Sequence, residues 1–502
     1  MSDRSIIIIG GGLAGLAAGC YARMNGFTTR IFEHHTLPGG VCTAWRRGDF
    51  LFDGCIYWLM HHRPGATFDG LYRELGITPH VRLLDITEYM RFVDEPSGKE
   101  VAFTSDLDRL AADLKQFAPG DAALIDDLIR GMRAFMGVSS WELMSTPPEL
   151  VGFFGRLRQM WPMRKMLKYF GGKYNQTIAE YAAGAKDPWL RTVLTQLFLP
   201  EVPVWFVLMI LGALGERQLS IPEAGSLEFA RAVEQRYLGL GGEITYGATV
   251  ESILVENDRA VGVRLADGSE HRADLVISAA DGHSTIFDLL GGRYISDRIK
   301  DRYDKWPIFP PLIMVSFGVA RDLTGEPPVT ALALEHPFTV GRQEISTLQM
   351  RLLNHSGAFA PGGKGVVQVV FPTSWEYWSN LRTDPARYQA EKDHVAREAL
   401  ARLEGRYPGI SAQVEVTDVA TPHATWHYTR NWKGAFEGWL PTPETIRAKM
   451  DRTLPGLENF YMAGQWVSPG GGVSSCLISG RQAIQVICHR EGRPFTAVAS
   501  SQ

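Results

Sequence analysis

The first thirty-three residues constrain the fold more than any other stretch. Four consecutive isoleucines, Ile6 to Ile9, read as a strand buried on both faces. Gly10-Gly11-Gly12-Leu13-Ala14-Gly15 follows directly, and a run rich in Ala and Leu continues as a helix to about Asn25. Gly26 stops that helix, and residues 28–32 form a β-branched and aromatic strand ending at Glu33. In such a unit Gly10 permits the tight turn and Gly12 lets a diphosphate approach the backbone. Gly15 lets helix and strand pack closely, and the helix N-terminus faces the phosphate charge. Glu33 stands 23 residues beyond Gly10, close to the ~20-residue spacing of an acid that binds a ribose 2′-hydroxyl. The expectation is an α/β fold with a dinucleotide site at Gly10, Gly12, Leu13, Ala14, Gly15 and Glu33.

A rival reading makes residues 6–18 the apolar core of a signal peptide, with small residues before Cys20. Asp3 offsets Arg4, no cluster of positive charge precedes the run, and cleavage would remove the strand and turn that give Glu33 its role. The dinucleotide reading is preferred.

A chain of 502 residues suits two or three domains. A net charge of −4 gives no electrostatic case for nucleic acid. The five cysteines show no C-x-x-C spacing, which suits a reducing compartment, so a cytoplasmic location is expected. No metal site is expected. No apolar run reaches the roughly 18 residues of a spanning helix. The longest, residues 202–215, reads as a buried helix or as the wall of an apolar tunnel.

Further along, the pair Gly39-Gly40 before Val41 keeps the backbone close to an extended cofactor, or else makes an ordinary turn. Residues 70–150 read as mainly helical. In residues 151–173, Arg156, Arg158, Arg164, Lys165, Lys168 and Lys173 alternate with Phe153, Phe154, Trp161, Met163, Met166 and Phe170, and no acid intervenes. That composition fits a helix on a membrane surface, or a solvated basic face over a core. Residues 227–238 read as a helix, 243–246 as a strand, 250–256 with 260–265 as a hairpin, and 274–279 as a strand. Together they are expected to extend the N-terminal sheet. Residues 301–444 read as a separate lobe, with strands at 312–319 and 366–371 and a helix at 387–404. Residues 459–463 form a short strand, Gly464-Gln465 a turn, and Gly470-Gly471-Gly472 opens a helix at Val473. Free backbone N–H groups there suit an electron-rich heterocycle, or the glycines make only a tight loop.

Residues 10–40 with Phe52-Asp53, residues 241–281 and residues 454–483 together resemble FAD-dependent oxidoreductases of the phytoene desaturase, carotenoid isomerase and retinol saturase group. Residues 421–438 resemble the group more loosely. The resemblance implies a Rossmann-type, glutathione-reductase-like FAD domain (residues 1–90, 215–300 and 445–502). An α+β substrate domain (91–214 and 301–444) is inserted into it. It implies non-covalent FAD, with Gly10, Gly12 and Gly15 at the diphosphate, Glu33 at the adenosine ribose, and Gly39, Gly40 and Val41 along the cofactor. Val250 would meet the adenine, Gly464 and Gln465 the ribityl chain, and Gly472 and Val473 the pyrimidine end. Val41 stands where the group often has Arg, so Arg46 or Arg47 is expected to supply that charge if anything does. Gln465 stands where Asp is common, and bonds a ribityl hydroxyl without charge.

No second dinucleotide motif is found, so no NAD(P)H domain is expected. Cys42 and Cys55 lack the spacing of a disulfide reductase, and the context of Cys476 matches no covalent flavin tether. The expected reaction is hydride transfer between flavin N5 and a carbon of a long polyene, isoprenoid or fatty-acyl-like substrate, giving desaturation, saturation or isomerisation. Oxygen or a membrane quinone would accept electrons, unless the flavin recycles internally. Tyr57 and His427 are the candidate acid–base groups, and His61 and His62 read as surface or satisfied histidines. One alternative is an amine oxidase, which needs an aromatic cage at the flavin. Another is a lipid-binding escort like the Rab GDP-dissociation inhibitors, which has no use for the intact fingerprint and Glu33.

Overall fold

The computed structural model describes residues 4–137, 141–161, 164 and 166–498. Strand Ser5–Ile9 lies at the centre of a five-stranded parallel sheet. The order is Glu243–Thr245, Thr28–Phe32, Ser5–Ile9, Leu275–Ser278, Phe460–Met462. The isoleucines divide between two cores. Ile6 and Ile8 pack with Leu16, Ala17 and Ile484 from helices Leu13–Met24 and Val473–Arg490. Ile7 and Ile9 pack with Ile253 and Val263 on the opposite face. A strand apolar at every position is therefore buried on both sides. The two helices cross closely because Ala17, Ala18 and Gly480 are small where they meet.

A second, seven-stranded sheet runs in the order Val414–Ala420, Leu312–Val319, Gly365–Pro372, Gln343–Leu352, Val329–Val340, Glu88–Asp94, Lys99–Thr104. All its pairings are antiparallel except Val329–Val340 with Glu88–Asp94. Leu332, Leu348 and Val369 on one face pack under helix Pro385–Arg406 through Val395, Ala399 and Leu403. Their neighbours Ala331, Gln349 and Val370 point the other way, into a cavity, as the two-residue period of a strand requires. Helices Ala122–Phe135 and Val204–Gly215 pack together with Gly131 against Leu208 and Gly212 against Phe135.

Three expectations change. Helices predominate over strands in residues 70–150 as expected, but Glu88–Asp94 and Lys99–Thr104 add an unexpected hairpin of the large sheet. Buried Met90, Phe92, Val101 and Phe103 anchor it, and Pro96-Ser97-Gly98 turns it. The boundary expected at residue 90 falls inside the first of these strands. The hairpin Val250–Glu256 and Arg259–Leu265 does not join the parallel sheet. With Glu270–Arg272 it makes a separate three-stranded layer, while Glu243–Thr245 and Leu275–Ser278 join as expected. The helix Val204–Gly215 is both buried and a tunnel wall, because Val207, Leu208 and Leu211 are buried while Phe206 and Met209 face the cavity.

Candidate active site

The carboxyl ends of the parallel strands open onto one cavity of about 1080 Å³, the place where open α/β sheets bind ligands. That is at the top of the roughly 300–1,000 Å³ range of small-molecule sites. Gly10, Gly12, Leu13, Ala14, Glu33, Gly39, Gly40, Val41, Val250, Gly464, Gln465, Gly472 and Val473 all line it. Gly15 does not, because it faces inward: a β-carbon there would collide with the Gly10 carbonyl. It thus sets how closely the helix approaches the turn.

Two helices begin at this cavity with no side-chain cap, one behind Gly12 and the other behind Gly472. Their first N–H groups have no partner within the helix and carry its positive pole. Glu33 is buried, and its Oε2 accepts the Gly11 N–H at 2.5 Å while Oε1 accepts the His35 N–H at 2.7 Å. Burial pushes its pKa up, opposed by those two bonds. The carboxylate is therefore fixed in direction while facing the cavity.

The Val41 departure is not answered by Arg46 or Arg47. Arg47 donates to Asp418 Oδ1 at 2.9 Å, Arg46 is exposed, and neither lines the cavity. The cation that does line it is Arg430, whose Nε donates to His34 Nε2 at 3.2 Å. His427 does not line it. In helix Pro422–Thr429 and the residue after it, Trp426, Thr429 and Arg430 share the cavity face, and His427 is turned off that face. Tyr57 lines the cavity, with the Arg351 guanidinium 4.4 Å from its ring centre. Its hydroxyl is buried with no hydrogen-bond partner among the described residues, and burial pushes the phenol up to about 12. Tyr57 is therefore a neutral phenol at neutral pH. His61 also lines the cavity, and burial lowers its pKa to about 4. His62 Nε2 donates to Asp85 Oδ1 at 3.0 Å.

Sequence reading missed three features of this site. Asp53 is fully buried and accepts from Ser226 N–H at 2.5 Å, Ser226 Oγ at 2.7 Å and Arg351 Nη1 at 3.3 Å. It ties the end of strand Phe50–Asp53 to the start of helix Ser226–Gly239 and to the large sheet. The signal was a lone arginine in the apolar run Met350-Arg351-Leu352. Asp281 accepts from Ser284 N–H at 2.7 Å and Trp432 N–H at 2.8 Å, and burial pushes it up to about 7. Glu437 lies on the cavity wall between Gly434 and Gly438. Away from this polar end, Phe135, Met166, Phe170, Phe198, Phe206 and Met209 give the cavity a largely apolar wall, with Gln196, Ser346 and Gln349 among its polar exceptions.

A cradle of backbone N–H groups with a fixed acid, opening into a largely apolar chamber, is the arrangement of a dinucleotide-cofactor enzyme. The chain belongs to the flavin-containing amine oxidoreductase family, whose profile matches residues 13–488. It is an FAD-dependent oxidoreductase. Among curated relatives, the chloroplastic prolycopene isomerase of Arabidopsis thaliana is 24% identical over 497 residues, 94% of this chain and 81% of the relative. The lycopene-forming phytoene desaturase of Pseudescherichia vulneris is 25% identical, covering 95% of this chain and 98% of the relative. Among solved structures, an oxidoreductase from Methanosarcina mazei superposes with TM-score 0.61 at 17% identity, over 96% of this chain and 100% of the other. Cyclohexylamine oxidase from Brevibacterium oxydans gives 0.59 at 14% identity, over 98% and 100%. At these identities the solved structures establish the shared fold.

Proposed function

We propose that this chain forms, removes or isomerises carbon–carbon double bonds in a lipophilic polyene or isoprenoid. The observation that carries the reading is the continuity of one cavity from the nucleotide cradle to a hydrocarbon chamber. The names of the curated relatives support the same chemistry. When bound, FAD supplies hydride transfer at its N5. The protein's task is then to bind, align and keep water out.

In this reading Gly10, Gly12, Leu13 and Ala14 hold the diphosphate, Glu33 the adenosine ribose, and Val250 the adenine. Gly464 and Gln465 hold the ribityl chain, and Gly472 and Val473 the pyrimidine end. Gly39, Gly40 and Val41 border the cofactor, and Arg430 supplies the cation absent at Val41. Segments 1–90, 215–300 and 445–502 serve the cofactor, and 91–214 with 301–444 serve the substrate. Phe170, Phe198, Phe206 and Met209 give a long chain a dry wall. A small amine would leave that wall unused, which favours the polyene reading over amine oxidation.

A water-insoluble substrate must be taken from a membrane surface. Among the described residues, no helix is long and apolar enough to cross a membrane. Phe153, Phe154 and Trp161 are 72%, 83% and 68% exposed, so among the described residues no core covers their apolar side. Met166 and Phe170, in the same segment, line the cavity. Arg164 and Lys168 flank the patch, whereas Lys173 is paired with Asp127 at 2.8 Å. Lys165, Met163 and the side chains of Arg156 and Arg158 lie outside what is described. The exposed aromatics and cations are proposed to dock on anionic headgroups beside the chamber mouth.

The test is FAD-loaded protein mixed with liposomes carrying carotenoid precursors, with oxygen or a quinone supplied. Chromatography should show a change in the number or geometry of conjugated double bonds. Unchanged polyenes alongside oxidised amines would overturn the reading. Flotation at low and high salt tests docking, which should weaken as salt screens the cations. Protein that never floats would remove the membrane step.

A further inference from the structure

Desaturation removes two hydrogens from adjacent carbons, and a flavin takes only one of them as hydride. The other must leave as a proton to some group at the same end of the cavity. Tyr57 is a neutral phenol whose ring is covered by Arg351, and His427 lies off the cavity. Asp281 is already committed to two backbone N–H groups.

Glu437 differs from all of these. It lines the cavity and is half-buried, its exposure being toward the cavity. Among the described residues no hydrogen-bond or ion-pair partner reaches its carboxyl. It lies against Gly471, in the glycine turn that opens helix Val473–Arg490. A β-carbon on Gly471, where φ is +43°, would run into the carboxyl. The titratable groups near it are the Cys476 thiol on that helix and, beyond it, Cys55. Burial pushes the Cys476 thiol up to about 12, so it carries no charge at neutral pH.

We propose that Glu437 exchanges the substrate proton in the carbon–carbon chemistry, a role that rests on the function proposed above. In the desaturation direction, one C–H would leave with its bonding pair as hydride, which FAD would accept when bound. The adjacent C–H gives its proton to a Glu437 carboxylate oxygen, and its electron pair becomes the new π bond. Saturation runs the same transfers in reverse, with the carboxylic acid as proton donor. A carboxyl with no competing partner and access to the cavity can serve in either form.

Geometry and titration agree. Burial raises the Glu437 pKa to about 8 from an ordinary 4.5, so acid and base forms are both accessible near neutral pH. The folded state holds this proton to higher pH than the unfolded chain does. Wild-type stability should therefore fall as pH climbs from about 4.5 to about 8. A glutamine at this position avoids that loss.

The test compares wild type with Glu437→Gln, both loaded with FAD. The expected result is unchanged flavin content, an unchanged KM for polyene, and a kcat lower by about 100-fold or more. The wild-type desaturation rate should rise with pH through the Glu437 titration, and the variant should have no such limb. Independently of turnover, wild type should show an infrared carboxylic-acid band that titrates near pH 8 and is absent from the variant. The variant should also melt higher than wild type above neutral pH. Turnover within about twofold of wild type with the same pH limb would overturn the proposal, as would a raised KM with kcat intact, the mark of a mere binding group. If wild type itself acts on no polyene, the functional reading fails and this proposal fails with it. An active wild type with an equally active variant overturns this proposal alone.

Discussion

Gly10, Gly12 and Glu33 present backbone N–H groups and one fixed carboxylate to their end of the cavity, whereas Phe170, Phe206 and Met209 present only hydrocarbon to theirs. The first region comes largely from two continuous stretches, residues 9–41 and 464–476. The second is assembled from helices Ala122–Phe135 and Val204–Gly215, the turn around Phe170, and alternate residues of the large sheet. In the proposed reading main-chain atoms would hold the cofactor, and such contacts tolerate changes of side chain. A substrate is selected by side chains, which differ from chain to chain.

The largest effect is expected from Gly15→Val, which forces a branched side chain onto the Gly10 carbonyl. Purified protein should lack FAD and the folded signature in circular dichroism. Retained yellow colour would show that the close approach at Gly15 is dispensable. Next comes Arg351→Met, which couples the two regions because it strands buried Asp53 without its cation. Breaking one side of a buried pair costs about 3–5 kcal/mol, readable as a lower urea midpoint for the whole chain. A drop confined to FAD affinity would mean that the two regions unfold separately.

Glu33→Ala tests the polar end alone. FAD binding should weaken by about 1–3 kcal/mol, the cost of losing a charged hydrogen-bond partner, with polyene affinity for the FAD-loaded protein unchanged. Unaltered FAD occupancy after dialysis would mean that Glu33 is not the ribose ligand. Phe206→Ala is the converse and the smallest change. It should lower polyene affinity by about 1 kcal/mol, since only part of the ring contacts the substrate, and leave FAD titration unmoved. An equal loss of FAD binding would erase the distinction between the two ends.

The same contrast explains what was legible in the sequence. Residues 6–33 declare themselves because strand, glycine turn, helix and acid are neighbours in the chain, and the glycine turn before Val473 is local in the same way. Only the lone Arg351 among apolar residues hints at the Asp53–Arg351–Ser226 knot, since its members lie far apart and nothing local marks Asp53 as the partner of Arg351. Glu437 read as one acid in a loop, because its isolation is a property of the packed cavity. His427 and Arg430 are three residues apart in one segment, and only the orientation of helix Pro422–Thr429 decides that Arg430 faces the cavity. The strand Glu88–Asp94 was misread because Glu88, Arg91 and Asp94 obscure its apolar alternation. Its identity comes from pairing with Val329–Val340, more than two hundred residues away.

In the proposed function one cavity brings a lipophilic carbon chain against the flavin. Its most direct test is rapid anaerobic mixing of FAD-loaded protein with polyenes, isoprenoids, fatty acyls and amines, followed through the visible absorbance of the flavin. Polyenes or isoprenoids should bleach the oxidised flavin, or restore the colour of a pre-reduced one, in a single turnover, while amines leave it unchanged. Bleaching by amines alone, with every polyene inert toward both redox states, would contradict the account.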